Sequence, residues 1–224
     1  MRLYINKKII LYIFFLLLFG TINNINLSKL NFLEIENLQV SGIDYKDYPF
    51  IDEKIKDLKF KNILLLKKEN FNQIKNSDNI IEDISVFKKY PSSLEIKIKK
   101  TDLLANILID GNFYFLGSNG KLIESNEIKE GIPNIVGKVS YENFIEIKRK
   151  IDLSKIEFKN LKNLFFFPSG RWDIELNSGI LLRLPLKNTI QALNNSFKLL
   201  DSENFKKVKV VDLRVRNQII INEE

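Results

Sequence analysis

The sequence predicts an α+β protein in which an N-terminal transmembrane helix precedes two folded modules. The first module is a small β-α-α-β-β domain, and the second is a mostly antiparallel β domain with flanking helices. Three observations predict this class: an apolar run near the N-terminus, a segment that alternates strictly between apolar and charged residues, and turn signals between further apolar segments. A hydrophobic fraction of 45% is sufficient for a packed core, so a folded protein is expected rather than a disordered one.

The first element is the apolar run at residues 9–19, which follows Arg2 and two lysines. A basic start and a run of this length occur both in cleaved signal peptides and in uncleaved anchors. No small-residue cleavage site of the A-x-A kind follows, which favours an anchor over residues 9–27 with a cytoplasmic tail at 1–8. Because basic residues stay on the cytoplasmic side, the rest of a single-pass chain is expected in the periplasm.

Residues 33–100 carry the pattern of the β-α-α-β-β module. A short strand ends at Gly42, a helix opens at Pro49, and a second short helix follows it. Two strands then flank a turn at residues 90–93. The second of these strands places three apolar residues on one face and charged residues on the other, the pattern of a sheet with one solvated face: Leu94, Ile96 and Ile98.

Residues 102–224 read mostly as strands. A hairpin is predicted around Asp110-Gly111, and a helix is predicted to begin after an N-cap at Ser140. Trp172 belongs to an alternating strand and is expected in the core. A second helix after residue 188 is expected to bury four apolar side chains: Ile190, Leu193, Phe197 and Leu200. One closing strand is expected over residues 208–221, with a bulge near residues 211–212 because the apolar positions change parity there.

Composition excludes most catalytic chemistry. The chain has no cysteine and no histidine, which removes Ser-His-Asp triads, Cys-His dyads, disulfides and ordinary zinc sites. Acidic pairs at 82–83 and 223–224 are adjacent in sequence, whereas a glycosidase needs carboxylates that face each other across a cleft. We therefore expect a protein that is not an enzyme, uses no cofactor and binds no small-molecule substrate.

The net charge is +7, but acidic residues are interleaved with the lysines along most of the chain. This distribution favours a solvated Lys-rich surface, and a basic face for an anionic cell-wall polymer is the alternative. No nucleic-acid partner is expected.

Five segments carry a family resemblance. They are the strand end Leu-Gln-Val-Ser-Gly at 38–42, the hairpin at 86–98, Ile-Pro-Asn-Ile-Val-Gly at 132–137, Arg-Trp-Asp-Ile-Glu-Leu at 171–176, and Val-Asp-Leu-Arg at 211–214. In this order the segments resemble the FtsQ/DivIB family of division proteins, whose POTRA and β domains would correspond to residues 33–100 and 102–224. Three positions depart from the family pattern: Lys100 and Leu103 replace an acidic residue and a proline, and Gly117 replaces an aspartate.

The resemblance implies a non-enzymatic scaffold at the division septum, held in the inner membrane, that binds FtsB and FtsL. It implies that the POTRA domain supports recruitment and that the β domain captures FtsB by strand addition at an exposed final strand. Arg171 would attract an acidic partner segment, and the docking edge would be formed by the closing residues: Arg214, Val215, Arg216, Asn217, Gln218, Ile219 and Ile220.

Other interpretations of these residues stay open at this point. Arg171 is equally consistent with a solvated surface charge, and Arg214 and Arg216 are equally consistent with charges that discourage aggregation at an edge. Two alternative functions also remain: a basic periplasmic binder of cell-wall polymer, and a POTRA-type assembly adaptor unrelated to division.

Overall fold

The computed structural model describes residues 7–22, 33–200, 208–215 and 218–223. The chain divides into two compact units, Met1–Lys100 and Thr101–Glu224. Each unit combines helices with a sheet, so the fold is of the α+β class.

The transmembrane helix predicted for residues 9–27 is wrong. The N-terminal helix, α1, spans Lys7–Ile22 and has 16 residues, two of them lysines in its first turn. At 1.5 Å per residue such a helix is about 24 Å long, whereas a bilayer core is about 30 Å thick. Within the described ranges no helix is long and apolar enough to cross a membrane. Residues 1–6 and 23–27 of the predicted tail and anchor lie outside the described residues.

The rest of the first unit has the order β-α-α-β-β. Its three strands form a sheet in the order β1-β3-β2, in which β1 runs parallel and β2 antiparallel to β3. The alternating residues Leu94, Ile96 and Ile98 are buried, as their spacing predicts. The elements are β1 (Asn37–Ser41), α2 (Pro49–Lys56), α3 (Lys68–Lys75), β2 (Ile81–Lys89) and β3 (Ser93–Lys100).

The second unit is built on one large sheet. Its described strands follow the order β12-β11-β10-β9-β8-β7-β4-β5-β6. The strands are β4 (Leu103–Ile109), β5 (Asn112–Gly117), β6 (Leu122–Ser125), β7 (Asn134–Val136), β8 (Leu161–Phe166), β9 (Trp172–Leu176), β10 (Leu181–Arg183), β11 (Val208–Asp212) and β12 (Ile220–Glu223), and the helices are α4 (Tyr141–Asp152) and α5 (Thr189–Leu200).

Most neighbouring strands of this sheet are antiparallel, but three pairs are parallel: β4–β7, β7–β8 and β10–β11. Two of these pairs are joined through a helix, α4 between β7 and β8 and α5 between β10 and β11. A helical crossover returns the chain in the same direction, which makes the joined strands parallel.

Helix α4 buries one apolar face in the core of the second unit, as its sequence predicts. The Ser140 hydroxyl caps it by accepting a hydrogen bond from the Asn143 N–H at 3.3 Å. Phe144, Ile147 and Ile151, which are three or four residues apart, are all buried. Trp172 is also buried in this core, as expected.

Helix α5 buries a face that overlaps the predicted one only in part: Leu193 is buried, and Ile190 and Leu200 are half-buried. Its buried residues are Thr189, Ala192, Leu193 and Ser196, whereas Phe197 is 37% exposed. These four residues follow the i, i+3, i+4, i+7 spacing of one helix face. Burial of small residues in place of the bulkier apolar ones turns Phe197 towards solvent, so its predicted burial is wrong.

A ladder of asparagines crosses four strands on the sheet face opposite the helical core. The strand register aligns Asn106, Asn134, Asn163 and Glu175 on β4, β7, β8 and β9. Asn106 Nδ2 donates to Asn134 Oδ1 at 3.0 Å, Asn134 Nδ2 to Asn163 Oδ1 at 2.9 Å, and Asn163 Nδ2 to Glu175 Oε2 at 2.6 Å. Because side-chain amides both donate and accept, each asparagine bonds the next and pins the register of the short strand β7.

The departure at Gly117 also has a physical reason. A Cβ on Gly117 would lie 2.6 Å from Asn119 Oδ1 and 2.8 Å from Thr101 Oγ1. Both of those atoms have partners, because Asn119 Oδ1 accepts from the Lys121 N–H at 3.0 Å and Thr101 Oγ1 lies 3.0 Å from Ser118 Oγ. The turn is therefore built around the missing side chain.

Candidate functional site: the carboxy-terminal edge of the large sheet

The candidate site is the sheet edge formed by the last two strands. β11 runs parallel to β10, and β12 returns antiparallel to β11 as the outermost strand on that side. Among the described strands, one in this position has a row of backbone N–H and C=O groups without a neighbour in the sheet. The edge therefore offers main-chain hydrogen bonds to an extended segment of another chain.

The single closing strand predicted over residues 208–221 is wrong, because the chain turns back in the middle of it. The Asp212 carboxylate accepts a hydrogen bond from the Arg214 backbone N–H at 3.0 Å, a local bond that competes with strand pairing. The irregularity in strand register lies between Val208 and Val210 rather than near residues 211–212.

The predicted docking residues divide between the turn and the edge. Arg214, Val215, Gln218 and Ile219 lie between β11 and β12, and Ile220 is the first residue of β12. Arg216 and Asn217 lie outside the described residues. Of the described docking residues, the structure brings only Ile220 into the edge strand itself. The strand continues through three residues that were not predicted as docking residues: Ile221, Asn222 and Glu223.

The edge strand presents apolar side chains on both faces of the sheet. Ile220 pairs in register with Asp212 on the face opposite the helical core and is 51% exposed. Ile221 pairs with the buried Val211 on the core-facing side and is still 36% exposed. Two large aliphatic side chains at an exposed edge leave apolar area that a partner strand would cover.

Charged residues form a row beside this edge. The register places Asp173, Arg183 and Asp212 side by side on β9, β10 and β11. Arg183 Nη1 lies 3.9 Å from Asp212 Oδ2, and Arg214 Nε donates to both oxygens of the same carboxylate at 2.8 and 2.9 Å. One buried carboxylate therefore interacts with two arginines.

Arg171 is held in a similar way at the other end of the row. Its Nε donates to Asp173 Oδ1 at 3.2 Å, and its guanidinium carbon lies 4.2 Å from the centre of the Phe167 ring. The Asp173 partner is buried. Arg171 is thus fixed by an ion pair and a cation–π contact. The interpretation of Arg171 as a freely solvated surface charge did not predict these two contacts.

The hydrogen bond from the Arg214 side chain lowers the pKa of the Asp212 carboxyl, and the Arg214 backbone N–H and the Arg183 charge act in the same direction. Burial of the carboxyl opposes this effect without cancelling it. The same pair raises the pKa of Arg214. Asp212 is therefore ionised at neutral pH, and it orients Arg214 at the start of the turn.

Sequence reasoning missed the carboxylates of this site. Each of the two predicted arginines has its aspartate two positions away, in Arg171-Trp172-Asp173 and in Asp212-Leu213-Arg214. Residues two apart in a strand share a face, so this spacing was a readable signal of internal pairing. The contribution of Arg183 depends on the β10–β11 pairing and has no comparable local signal.

The described part of the chain holds no group of three or more His, Cys, Asp or Glu side chains that could bind a metal ion. What the site offers is backbone hydrogen-bonding groups, aliphatic side chains and arginines in ion pairs. These are groups for recognition of another polypeptide.

Comparisons with known proteins match most of the second unit to a described family, over a range that ends before β12. The family model "Cell division protein FtsQ/DivIB, C-terminal" matches residues 105–214. Cell division protein FtsQ of Rickettsia bellii is 26% identical over 197 residues, which cover 84% of this chain and 72% of that protein. FtsQ of Rickettsia prowazekii is 26% identical over 203 residues, which cover 87% and 73%.

Two comparisons concern DivIB proteins. Cell division protein DivIB of Clostridium botulinum is 26% identical over 126 residues, covering 56% of this chain and 48% of that protein. A solved structure of the major extracytoplasmic domain of DivIB from Geobacillus stearothermophilus has 16% identity and a TM-score of 0.33, covering 47% of this chain and 91% of that one.

Proposed function

Since the chain belongs to the FtsQ/DivIB family of cell division proteins, we propose that it is a non-enzymatic division scaffold whose carboxy-terminal sheet edge binds a segment of an FtsB-type division protein. The mode of binding is strand addition, in which an extended partner segment pairs with β12. The division role follows from the family. The scaffold role, the partner and the mode of binding are our proposal.

The observation that carries the proposal is the position of β12 as an outermost strand with two exposed isoleucines. Sheet edges are commonly blunted by charges, proline or a covering element, because an open edge invites pairing with other chains. Ile220 and Ile221 are apolar and β12 contains no proline, while its one charged residue, Glu223, comes last in the strand. The apolar first half of β12 is suited to receive a strand.

Side chains next to the edge supply selectivity. The row contains the arginines 171, 183 and 214 and the aspartates 173 and 212, a net charge of +1 from three positive and two negative groups. Of these, Arg183 and Arg214 have the most exposed side chains. An acidic residue on the partner would meet these guanidinium groups, which favours an acidic partner segment over a basic one.

The finer location and the remaining partner belong to the same proposal. We place the interaction on the periplasmic side of the division septum and include an FtsL-type protein in the assembly, on the family resemblance alone. The first unit, as a POTRA domain, would support recruitment. Protease treatment of intact cells and of cells with a permeabilised outer membrane tests the location, because a periplasmic protein is cleaved only after permeabilisation.

Site-specific cross-linking tests the mode of binding. The chain has no cysteine, so a single one can be introduced by Asn222→Cys in β12 or, as a matched control, by Ser125→Cys in β6. Both positions lie on the same face of the sheet, in the strands at its two opposite edges. Disulfide trapping of an FtsB segment with a cysteine in its predicted strand is expected from position 222 and not from position 125. Equal trapping at both positions, or none at 222, would contradict strand addition at β12.

A further inference from the structure

A segment of the first unit, residues 58–68, exposes large apolar side chains although it belongs to a folded domain. We refer to this segment as the basic apolar loop. Phe60 is 69% exposed, Leu64 55% and Leu65 63%. Single exposed apolar residues are common on protein surfaces, but three within six residues form a concentrated apolar surface that calls for a partner.

The backbone of the loop is held in place, so the exposure is not a consequence of a loose segment. The Phe60 N–H donates to Ile35 O at 3.2 Å, and the Ile63 N–H donates to Leu33 O at 2.8 Å. The Lys88 ammonium donates to Leu66 O at 2.8 Å. The other apolar side chains of the loop, Leu58, Ile63 and Leu66, are buried in the core. Because these three fix the orientation of the backbone, Phe60, Leu64 and Leu65 point towards solvent.

Phe60 has a φ of 63°, in the left-handed region that bulky residues rarely adopt. An aromatic residue in this conformation costs about 1–3 kcal/mol, and glycine would adopt it freely. The position therefore carries an exposed aromatic side chain at a cost in stability.

The charges of the loop are all positive. Its four lysines are exposed, and none forms an ion pair with a described residue: Lys59, Lys61, Lys67 and Lys68. No acidic residue occurs between 58 and 68, and Asp57 and Glu69 flank the loop. Glu34 lies opposite Asn62 in an isolated antiparallel backbone bridge. Exposed apolar side chains that alternate in sequence with lysines lacking an ion-pair partner among the described residues are complementary to a surface with anionic groups above an apolar layer.

We propose that the basic apolar loop contacts the surface of an anionic lipid bilayer. The lysines would lie at the phosphate groups, while Phe60, Leu64 and Leu65 enter the boundary between headgroups and acyl chains. The contact is peripheral and requires no spanning helix. It goes beyond the function proposed above, which uses the second unit.

A fluorescent label read at one position tests this proposal on the full chain. Leu64→Cys places the label in the loop, and Phe50→Cys is the matched control, because Phe50 is 67% exposed in the same unit but lies between acidic residues at 47 and 52–53. Both variants keep α1, so adsorption through that helix would be common to both. The label is the environment-sensitive fluorophore NBD, and the probes are vesicles of phosphatidylglycerol with phosphatidylcholine and vesicles of phosphatidylcholine alone.

We expect a blue shift and quenching by spin-labelled acyl chains at position 64, with the phosphatidylglycerol vesicles only, and unchanged emission at position 50. Unchanged emission at position 64 on both vesicle types would overturn the proposal. So would an equal blue shift on phosphatidylcholine alone, or a shift produced by an acidic soluble protein and not by vesicles, which would assign the loop to a protein partner.

A second set of variants tests the role of charge. Replacing one lysine of the loop at a time with glutamine is expected to weaken binding to the anionic vesicles about fivefold for each, which corresponds to about 1 kcal/mol per lysine. Lys46→Gln, outside the loop, is the control and is expected to change binding much less. Equal effects inside and outside the loop would mean that only net charge matters and would contradict the assignment of the surface to residues 58–68.

Discussion

At the scale of single residues, the clearest feature is the use of aspartates to fix arginines beside the proposed docking edge. Asp212 binds Arg214 through the backbone and the side chain, and Asp173 binds Arg171. The sequence predicted both arginines as contact residues, and the aspartate two positions from each was a local sign of internal pairing. Spacing alone does not decide whether the ion pair forms. That decision depends on strand register and on burial of the carboxylates, which are set by the rest of the sheet.

The Asp212–Arg214 pair predicts a specific dependence of stability on pH. A folded-state pKa below the ordinary aspartate value of about 3.9 means that the contribution of Asp212 is complete above that value and is lost as pH falls through the lower pKa. Asp212→Asn is expected to lower the free energy of unfolding at neutral pH by about 1–2 kcal/mol.

The difference between wild type and Asp212→Asn should therefore shrink as the solution is acidified, while effects of other acidic groups cancel in the comparison. Urea denaturation of both proteins over an acid pH series measures this difference. A difference that stays constant with pH would mean that the carboxylate charge of Asp212 does not stabilise the turn.

Gly137 gives a second prediction at this scale. Its φ is 114°, and a Cβ at this position would lie 2.4 Å from the carbonyl oxygen of Phe166 in β8. Gly179 has a φ of 86° and no atom within 4 Å of its Cβ position, so it carries the backbone cost without the clash. Gly179→Ala is expected to cost about 1 kcal/mol, and Gly137→Ala clearly more, about 3 kcal/mol.

The denaturant midpoints of the two alanine variants are compared with that of wild type. If the dependence of the unfolding free energy on denaturant concentration is unchanged, the shifts in midpoint give the loss of stability at each position. The excess for Gly137→Ala measures the contact between the strand end and β8. Equal costs at the two positions would show that the backbone conformation alone explains the glycine in the Ile-Pro-Asn-Ile-Val-Gly segment.

At the scale of elements, local patterns predicted what they encode directly. The alternation at 94–98 predicted β3, and the Ser140 cap with its helical spacing predicted α4. The division of residues 208–223 into β11 and β12 could not be read in this way, because an apolar pattern that changes parity fits a bulge as well as a turn. The strand β7 has three residues, too few to show an alternating pattern in the sequence. The asparagine ladder that pins β7 can be recognised only once the register of the neighbouring strands is known.

The asparagine ladder predicts that the half-buried Asn134 contributes to the free energy of unfolding. Asn134→Ala removes the acceptor for Asn106 and the donor to Asn163, bonds of 3.0 and 2.9 Å. Asn106 keeps the carbonyl oxygens of Lys129 and Ile132 as acceptors, so the cost is that of two lost hydrogen bonds, about 1–3 kcal/mol in the free energy of unfolding.

Asn222→Ala is the matched control, since Asn222 is exposed in β12 on the same sheet face. It should change the free energy of unfolding by less than about 0.5 kcal/mol. Thermal or urea unfolding of both variants provides the comparison. Similar values for positions 134 and 222 would indicate that the ladder contributes nothing beyond the backbone pairing.

At the scale of the whole molecule, the order of short motifs along the chain predicted the family, which amino-acid composition alone could not do. The five segments predicted the family, which the comparisons confirm. The N-terminal prediction failed because a basic start and an apolar run are compatible with several fates, and the length of the helix, 16 residues, decides against a span. The identity of a partner depends on both surfaces, so one chain indicates only the chemistry that a partner must match. Here that chemistry consists of an edge strand, two isoleucines and arginines in ion pairs.

Binding of an FtsB segment to the full chain and to a chain ending at Arg214 is the measurement that tests the central claim most directly. The truncation removes β12 and the turn before it and leaves β11 with its Asp212–Arg214 pair. We expect the full chain to bind and the truncated chain to bind at least about tenfold more weakly, about 1.4 kcal/mol, with the fold retained by circular dichroism. A correctly folded truncated chain that binds the segment as tightly as the full chain would contradict a docking edge at the last strand.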